Sequence, residues 1–330
     1  MIGYLLARGY RVQEKHVRES IRRVDPEGVI ERSISLNIIQ RRRYFVPCPM
    51  ALWHMDGHHK LVSGDFNFNA ITFWWGFVTH AAIDGYSRKI MYLRCSTNNK
   101  ADTVLRAFLE AVENFGLPSR IRADQGVENE DVARFMFHHP LRGPDRGSFT
   151  SGKGVRNQRI ERLCRDLYVG VIYIYYEAFR YFEEQGLLQI DNEIHLYCLH
   201  YVFQPRINRH LEDFRSGRDC HPLSTERNRS PNQLWIEGPM RSENPLIGQD
   251  VTLYVKAEID SYGIDMEGPV PFTTGSRDLL EIPPIYCPLH DTESNDMNQF
   301  IDPLSHSDCF GIDIYIRCVS FAGGRLALSN

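Results

Sequence analysis

The sequence predicts an α/β protein built on a mixed sheet, and three observations carry that expectation. Short apolar runs read as strands within Leu52–Leu61, at Val78–Ile83 and at Lys89–Cys95. A helix with an apolar stripe follows them, and a fourth strand, Ser119–Ala123, follows the helix. Further helices come later, which suits a sheet covered by helical layers.

Taken in order, residues 2–8 read as the end of one helix, Gly9 as a turn and Gln13–Val24 as a second helix. Val17, Ile21 and Val24 stripe that helix and leave Lys15, Arg18, Arg22 and Arg23 outside. A helix, a Gly turn and a basic helix have the layout of a helix-turn-helix, although a helical hairpin with a solvated basic face accounts for the same residues. Asp25-Pro26-Glu27-Gly28 closes this fragment (residues 1–28), and residues 29–49 form a basic linker ending in Pro47 and Pro49.

In the first strand, alternation places Leu52, His54 and Asp56 on one face and Trp53 and Met55 on the other. The aromatic run Ser63–Phe77 suits a buried strand with a long hairpin loop better than a base-stacking surface. Asp84-Gly85 marks the hairpin turn between the second and third strands, and Asp84 reads as a structural turn residue. Val104, Leu105, Phe108, Leu109, Val112 and Phe115 recur at helical spacing until Gly116 and Pro118 stop the helix.

The fourth strand delivers Asp124. A short helix near Asp131–Phe137 and a Gly- and Pro-rich loop from His138 to Gly154 come next. A long helix is expected from about Val155 to Gly186, with Ile160, Leu163, Cys164 and Leu167 as its core stripe. Glu161, about 100° round from Ile160, lies at the margin of the buried face. Helical pieces at Glu193–Phe203 and Arg206–Phe214 are expected to be broken by Pro205. Residues 50–236 therefore form the core with its helical extension. Residues 237–330 make an acidic region that is irregular or β, with strand-like pieces at Val251–Val255 and Ile312–Val319.

Composition bounds the function. The 330 residues are 42% hydrophobic and 24% charged, the balance of a globular chain. No apolar run approaches the roughly 18 residues of a membrane span, and the opening Met1-Ile2-Gly3-Tyr4-Leu5 lacks a signal-peptide layout. The expectation is a protein neither membrane-bound nor secreted. Eight cysteines are scattered without a C-x-x-C pair, which argues against a zinc module and for free thiols. Residues 241–330 hold five Lys/Arg against fourteen Asp/Glu, which leaves +5 in residues 1–240 out of a total of −4. A basic front half suits an anionic partner such as nucleic acid.

Two carboxylates thus sit at strand ends and a third at a helix margin. Taken alone, Asp56 reads better as a turn cap than as part of a site. If the first and fourth strands lie side by side, Asp56 and Asp124 meet, and like charges need a cation between them. An Asp, Asp, Glu set without a Cys or His cage suits Mg²⁺, and two such ions about 3.5–4 Å apart suit phosphoryl chemistry.

Leu52-Trp53-His54-Met55-Asp56 and Ile83-Asp84-Gly85-Tyr86-Ser87-Arg88 resemble the first blocks of retroviral-type integrase and DDE transposase cores. Phe115-Gly116-Leu117-Pro118-Ser119-Arg120-Ile121-Arg122-Ala123-Asp124-Gln125-Gly126 is similar to their G-x-P-x-x-I-x-S-D-x-G block, and Asn157-Gln158-Arg159-Ile160-Glu161-Arg162 to the helix carrying their Glu. The blocks stand in the family's order at close to its spacing. The resemblance is nearest to the transposon-derived integrase cores of animal genomes. It extends through His195–Tyr201, His221-Pro222-Leu223 and Pro231-Asn232-Gln233-Leu234-Trp235.

The resemblance implies a ribonuclease-H-like fold with a mixed five-stranded sheet flanked by helices. It implies that Asp56, Asp124 and Glu161 are catalytic and ligate two Mg²⁺ or Mn²⁺ ions. The activity implied is 3′-end processing and strand transfer during DNA integration. The partners implied are element ends, target DNA and further copies of the chain, in the nucleus or otherwise the cytoplasm. Lys153, Arg156, Arg159 and Arg162, near the Glu, suit phosphate contacts, although solvated helix charges explain them equally well, and Lys15, Arg18 and Arg22 add a basic helix.

Three departures stand out: the Ser63–Phe77 insertion, Gln125 where retroviral cores commonly have Asn, and the lack of a His-His-Cys-Cys zinc module before the core. Two other functions fit the same residues. One is a catalytically silent, domesticated DNA-binding protein, and the other a ribonuclease-H-like nuclease that cleaves without joining.

Overall fold

The computed structural model describes residues 2–28, 46–57, 75–124, 126–143, 147–151, 158–241 and 285–329. The sheet is formed by β1 (Trp53–Gly57), β2 (Val78–Asp84), β3 (Ile90–Ser96), β4 (Ile121–Ala123) and β5 (Phe149–Ser151), in the spatial order β3-β2-β1-β4-β5. β1, β2 and β3 pair antiparallel, whereas β4 runs parallel to β1 and β5 parallel to β4. This topology is ribonuclease-H-like, as the resemblance implies. The fifth strand lies inside the segment expected to be a loop. Three residues between glycines are too short to show alternation, and pairing with β4 alone defines them.

Helices cover both faces. On one, α3 (Ala101–Phe115) buries Val104, Ala107, Phe108 and Ala111 against Trp53, Met55, Ala82 and Tyr92. The Trp53 and Phe108 rings meet edge-to-face at 5.9 Å. Gly116 follows at φ 95°, a conformation that ends the helix where the sequence places its stop. α4 (Glu130–His138) adds Val132 and Met136 to this layer.

On the other face lies one long helical path. α5 (Gln158–Leu167) runs through a π-helical turn at Tyr168–Ile172 into α6 (Tyr173–Glu184). α7 (Glu193–Asp219) packs beside it through Cys198, Leu199, Val202, Phe203, Ile207 and Leu211. α7 is continuous, so Pro205 does not divide it as the sequence suggests. Proline costs an interior helix about 3 kcal/mol. The buried side chains on both sides of Pro205 outweigh that cost, because each contributes about 1.5–3 kcal/mol.

α7 also closes the open edge of the sheet. Asn208 accepts a hydrogen bond from the Cys95 amide (2.8 Å) and donates one to the Cys95 carbonyl (2.9 Å). Asp219 accepts from the Ile90 amide at 3.1 Å. β3 therefore presents these backbone groups to a helix rather than to another strand.

The flanking regions join the same body. α1 (Ile2–Ala7) crosses α7 where Gly3 meets Gly217; a Cβ on Gly3 would stand 1.9 Å from the Gly217 carbonyl oxygen. α2 (Glu14–Val24) follows with Val17 buried. α8 (Pro231–Arg241) sets Trp235 edge-to-face on Phe115. The Pro231–Trp235 motif is a clamp: Asn232 accepts from Lys89 Nζ at 2.5 Å, and Lys89 also bridges to Asp219 at 3.2 Å.

Among the described residues of the C-terminal region, α9 (Asp291–Phe300) and α10 (Ile312–Ser329) are helices. The expected strand at Ile312–Val319 is thus helical. Ile312, Ile314 and Ile316 alternate, but the buried positions are Ile314, Tyr315, Cys318 and Ala322, a helical stripe facing α7. Val251–Val255 and most of the basic linker lie outside the described residues. So does the aromatic run as far as Trp74. Its last members, Trp75 and Phe77, are core residues packed on Phe179.

Candidate active site

β1 and β4 lie side by side, Trp53 opposite Ile121 and His54 opposite Arg122. That register is an offset of 68 residues, and Asp56 and Asp124 stand at the same offset near the strands' C-terminal ends. Trp53, Met55, Ile121 and Ala123 face α3, so alternation turns Asp56 and Asp124 to the opposite face, where α5 lies.

α5 lies across β1 and β2 with Ile160, Leu163, Cys164 and Leu167 fully buried. Glu161 is half-buried beside them. Cys164 reports how these elements meet. Burial pushes its thiol well above the usual range, and the negative charges of Asp56 and Glu161 push it further. One buried sulfur therefore feels a carboxylate from β1 and another from its own helix. The Tyr92 hydroxyl is likewise raised, first by burial and then by Asp56.

Asp124 is buried and held from two directions. Its Oδ1 accepts from Asn129 Nδ2 at 3.0 Å and from the Gly126 amide at 3.3 Å. Its backbone carbonyl accepts from Ser151 Oγ at 3.5 Å. Asn129 and Ser151 are absent from the sequence-based site. In sequence Asn129 is only a polar residue five positions after the carboxylate; its burial, at 3% exposure, appears once the turn is folded. Ser151 carries no signal until β5 is known.

Asp84 also sits in this sheet, at the end of β2 opposite Trp53. It accepts from Ser87 N and Ser87 Oγ, both at 2.7 Å, and from Met50 N at 2.9 Å. Burial pushes its carboxyl up to about 6 against the opposing effect of these bonds. The turn-residue reading of Asp84 agrees with that geometry.

The basic candidates are spread more widely. Arg162 is exposed on α5 and pairs with Asp166 at 3.1 Å, while Arg159 is half-buried one turn earlier in the helix. Lys153 and Arg156 lie outside the described residues. On α2, Lys15 and Arg18 are exposed and pair with Glu19 and Glu14 at i,i+4 spacing, and Arg22 is exposed beside them.

The donor set suits a hard cation. All three candidates offer carboxylate oxygens, the ligands Mg²⁺ and Mn²⁺ favour, and two of them end neighbouring parallel strands. Among the described residues, no three His, Cys, Asp or Glu side chains already converge as ligands. Sheet and helix bring the acids to one face without gathering them into a cage.

Fold and site together define a ribonuclease-H-like protein with acidic side chains at the ends of adjacent strands. The integrase core domain model matches residues 43–246, and the chain belongs to that polynucleotidyl-transferase-type family. No curated protein sequence matches the chain.

Among solved structures it is similar to the HTLV-2 integrase catalytic core domain in complex with magnesium, in its trimeric form. That pair shares 14% identity over 57% of this chain and 97% of the other, with a TM-score of 0.34. It is also similar to a chain of the simian T-cell lymphotropic virus intasome in complex with the PP2A regulatory subunit B56 gamma. Here identity is 14% over 61% and 60% of the two chains, with a TM-score of 0.37. No helix among the described residues is long and apolar enough to cross a membrane.

Proposed function

We propose that this protein is a metal-dependent DNA integrase or transposase whose Asp56, Asp124 and Glu161 hold two Mg²⁺ or Mn²⁺ ions. The observation that carries the proposal is the β1–β4 register, which sets Asp56 and Asp124 at a common offset on the face covered by the helix of Glu161. When bound, the metal pair supplies activation of a water or 3′-hydroxyl and charge stabilisation at the scissile phosphate.

The chain's own residues do the rest. β1, buried on both sides by neighbouring strands, fixes where Asp56 points. Asn129 and Gly126 hold Asp124 through one oxygen. α5 carries Glu161 at the edge of its buried stripe, half-buried and open enough to meet a ligand. Arg159 and Arg162, with Lys153 and Arg156 ahead of them, engage DNA phosphates, and Lys15, Arg18 and Arg22 form a second cationic strip. Such contacts give affinity that falls with salt and carries no sequence information. DNA ends and target DNA are the substrates, several copies of the chain assemble on them, and the nucleus is the compartment where they meet.

Three substitutions test the assignment. Asp56→Asn, Asp124→Asn and Glu161→Gln should each reduce Mg²⁺-dependent cleavage of a DNA end below detection, with the wild-type circular dichroism spectrum retained. Full activity in any one of them removes that residue from the site. A wild-type protein that binds DNA but never cuts it is the silent, domesticated form, and cutting without joining identifies a nuclease.

A further inference from the structure

The turn after β4 is built around the Asp124 carboxylate in a way that metal ligation alone does not require. Residues 124–129 read Asp-Gln-Gly-Val-Glu-Asn, and Val127–Asn129 form a 3-10 turn leading into α4. Asn129 is 3% exposed, and its amide faces Asp124 Oδ1 at 3.0 Å. Facing an anionic oxygen, that amide has to present its NH₂.

The Gly126 amide donates to the same oxygen at 3.3 Å, so both donors act on Oδ1. Glu128 folds over Gly126 so closely that a Cβ there would stand 2.1 Å from Glu128 Oε1. The turn is in turn anchored: α4 buries Val132 and Met136 in the α3 layer, and Ser151 of β5 holds the Asp124 carbonyl.

We infer that Asn129 is a positioning residue that fixes the plane of the Asp124 carboxylate for a divalent cation. The inference rests on the metal-binding reading of Asp124 proposed above. A neutral donor suits the task. It orients the carboxylate without cancelling the negative charge that a cation needs, as a Lys or Arg would. Partners of this kind, one step removed from the metal, typically alter metal affinity 10- to 100-fold when lost.

The test is Mn²⁺ binding to the full-length protein without DNA, followed by the electron paramagnetic resonance signal of free Mn²⁺, alongside the melting temperature without metal. Asn129→Ala should weaken binding about tenfold. Asn129→Asp keeps the shape but replaces the donor with a second anionic oxygen. It separates orientation from packing, and binding should weaken by at least as much.

Wild-type Mn²⁺ affinity in Asn129→Asp, whatever its melting temperature, would overturn the positioning role and leave the metal site standing. Unchanged Mn²⁺ binding in Asp124→Asn, or no binding by the wild-type protein, would overturn the metal reading and this inference with it.

Discussion

At the scale of single residues, the sheet carries two kinds of aspartate that look alike in sequence. Asp84 ends β2 and Asp124 directly follows β4, and each precedes a glycine by one or two positions. Asp84 is enclosed by three donors from Ser87 and Met50, and burial raises its carboxyl to about 6. Asp124 instead takes two donors on one oxygen, on the face that α5 covers. The raised carboxyl of Asp84 has a consequence for stability. A folded state that holds its proton more tightly than the unfolded chain gains stability as pH falls. The gain is complete below the ordinary value near 4 and lost as pH rises through about 6. At full extent it amounts to roughly 3 kcal/mol. Urea unfolding at pH 4, 5 and 6 should show this decline in the wild-type protein and a flatter profile in Asp84→Asn. Equal slopes in the two proteins would exclude Asp84 as the source.

At the scale of elements, the outcome depended on how much of each signal was local. β1 to β4, α3 and the helix of Glu161 were legible because their apolar spacing or turn residues announce them. Asp56, Asp124 and Glu161 stand out as candidates because each sits at a recognisable boundary of such an element. β5 was not legible, since three residues paired with one neighbour have no period of their own. α10 was misread because Ile312, Ile314 and Ile316 mimic a strand until α7 supplies the surface that buries Ile314, Tyr315 and Cys318. Asn129 needed the turn to be built before its partner was known. Pro205 is the opposite case, a strong local signal overruled by burial along α7. Pro205→Ala should therefore stabilise the protein, by up to about 3 kcal/mol. Denaturant midpoints check this, and a destabilised variant would mean that the proline ring makes a packing contribution larger than its backbone cost.

At the scale of the whole molecule, the described C-terminal helices belong to the body that carries the site. Tyr315 stacks on Phe182 at 5.4 Å and its hydroxyl donates to the Leu187 carbonyl at 3.1 Å, tying α10 to α6 and the turn that follows it. Phe203 of α7 lies against both rings. α6 and α7 are thus held from behind while α5, continuous with α6 through the π-helical turn, presents Glu161 in front. Tyr315→Ala should cost about 3–5 kcal/mol, the usual range for removing a buried aromatic ring. It should do so within a single cooperative transition. Two separated transitions in the wild-type protein would instead mark α9 and α10 as an independently folding attachment.

The central claim is that Asp56, Asp124 and Glu161 form one metal-dependent centre for DNA strand transfer. Joining of a labelled terminal-repeat oligonucleotide to a plasmid target in Mn²⁺, compared between the wild-type protein and Asp124→Asn, tests it most directly. The account predicts joined product from the wild-type protein that disappears with chelator and with the substitution. Joining that persists in Asp124→Asn would contradict it.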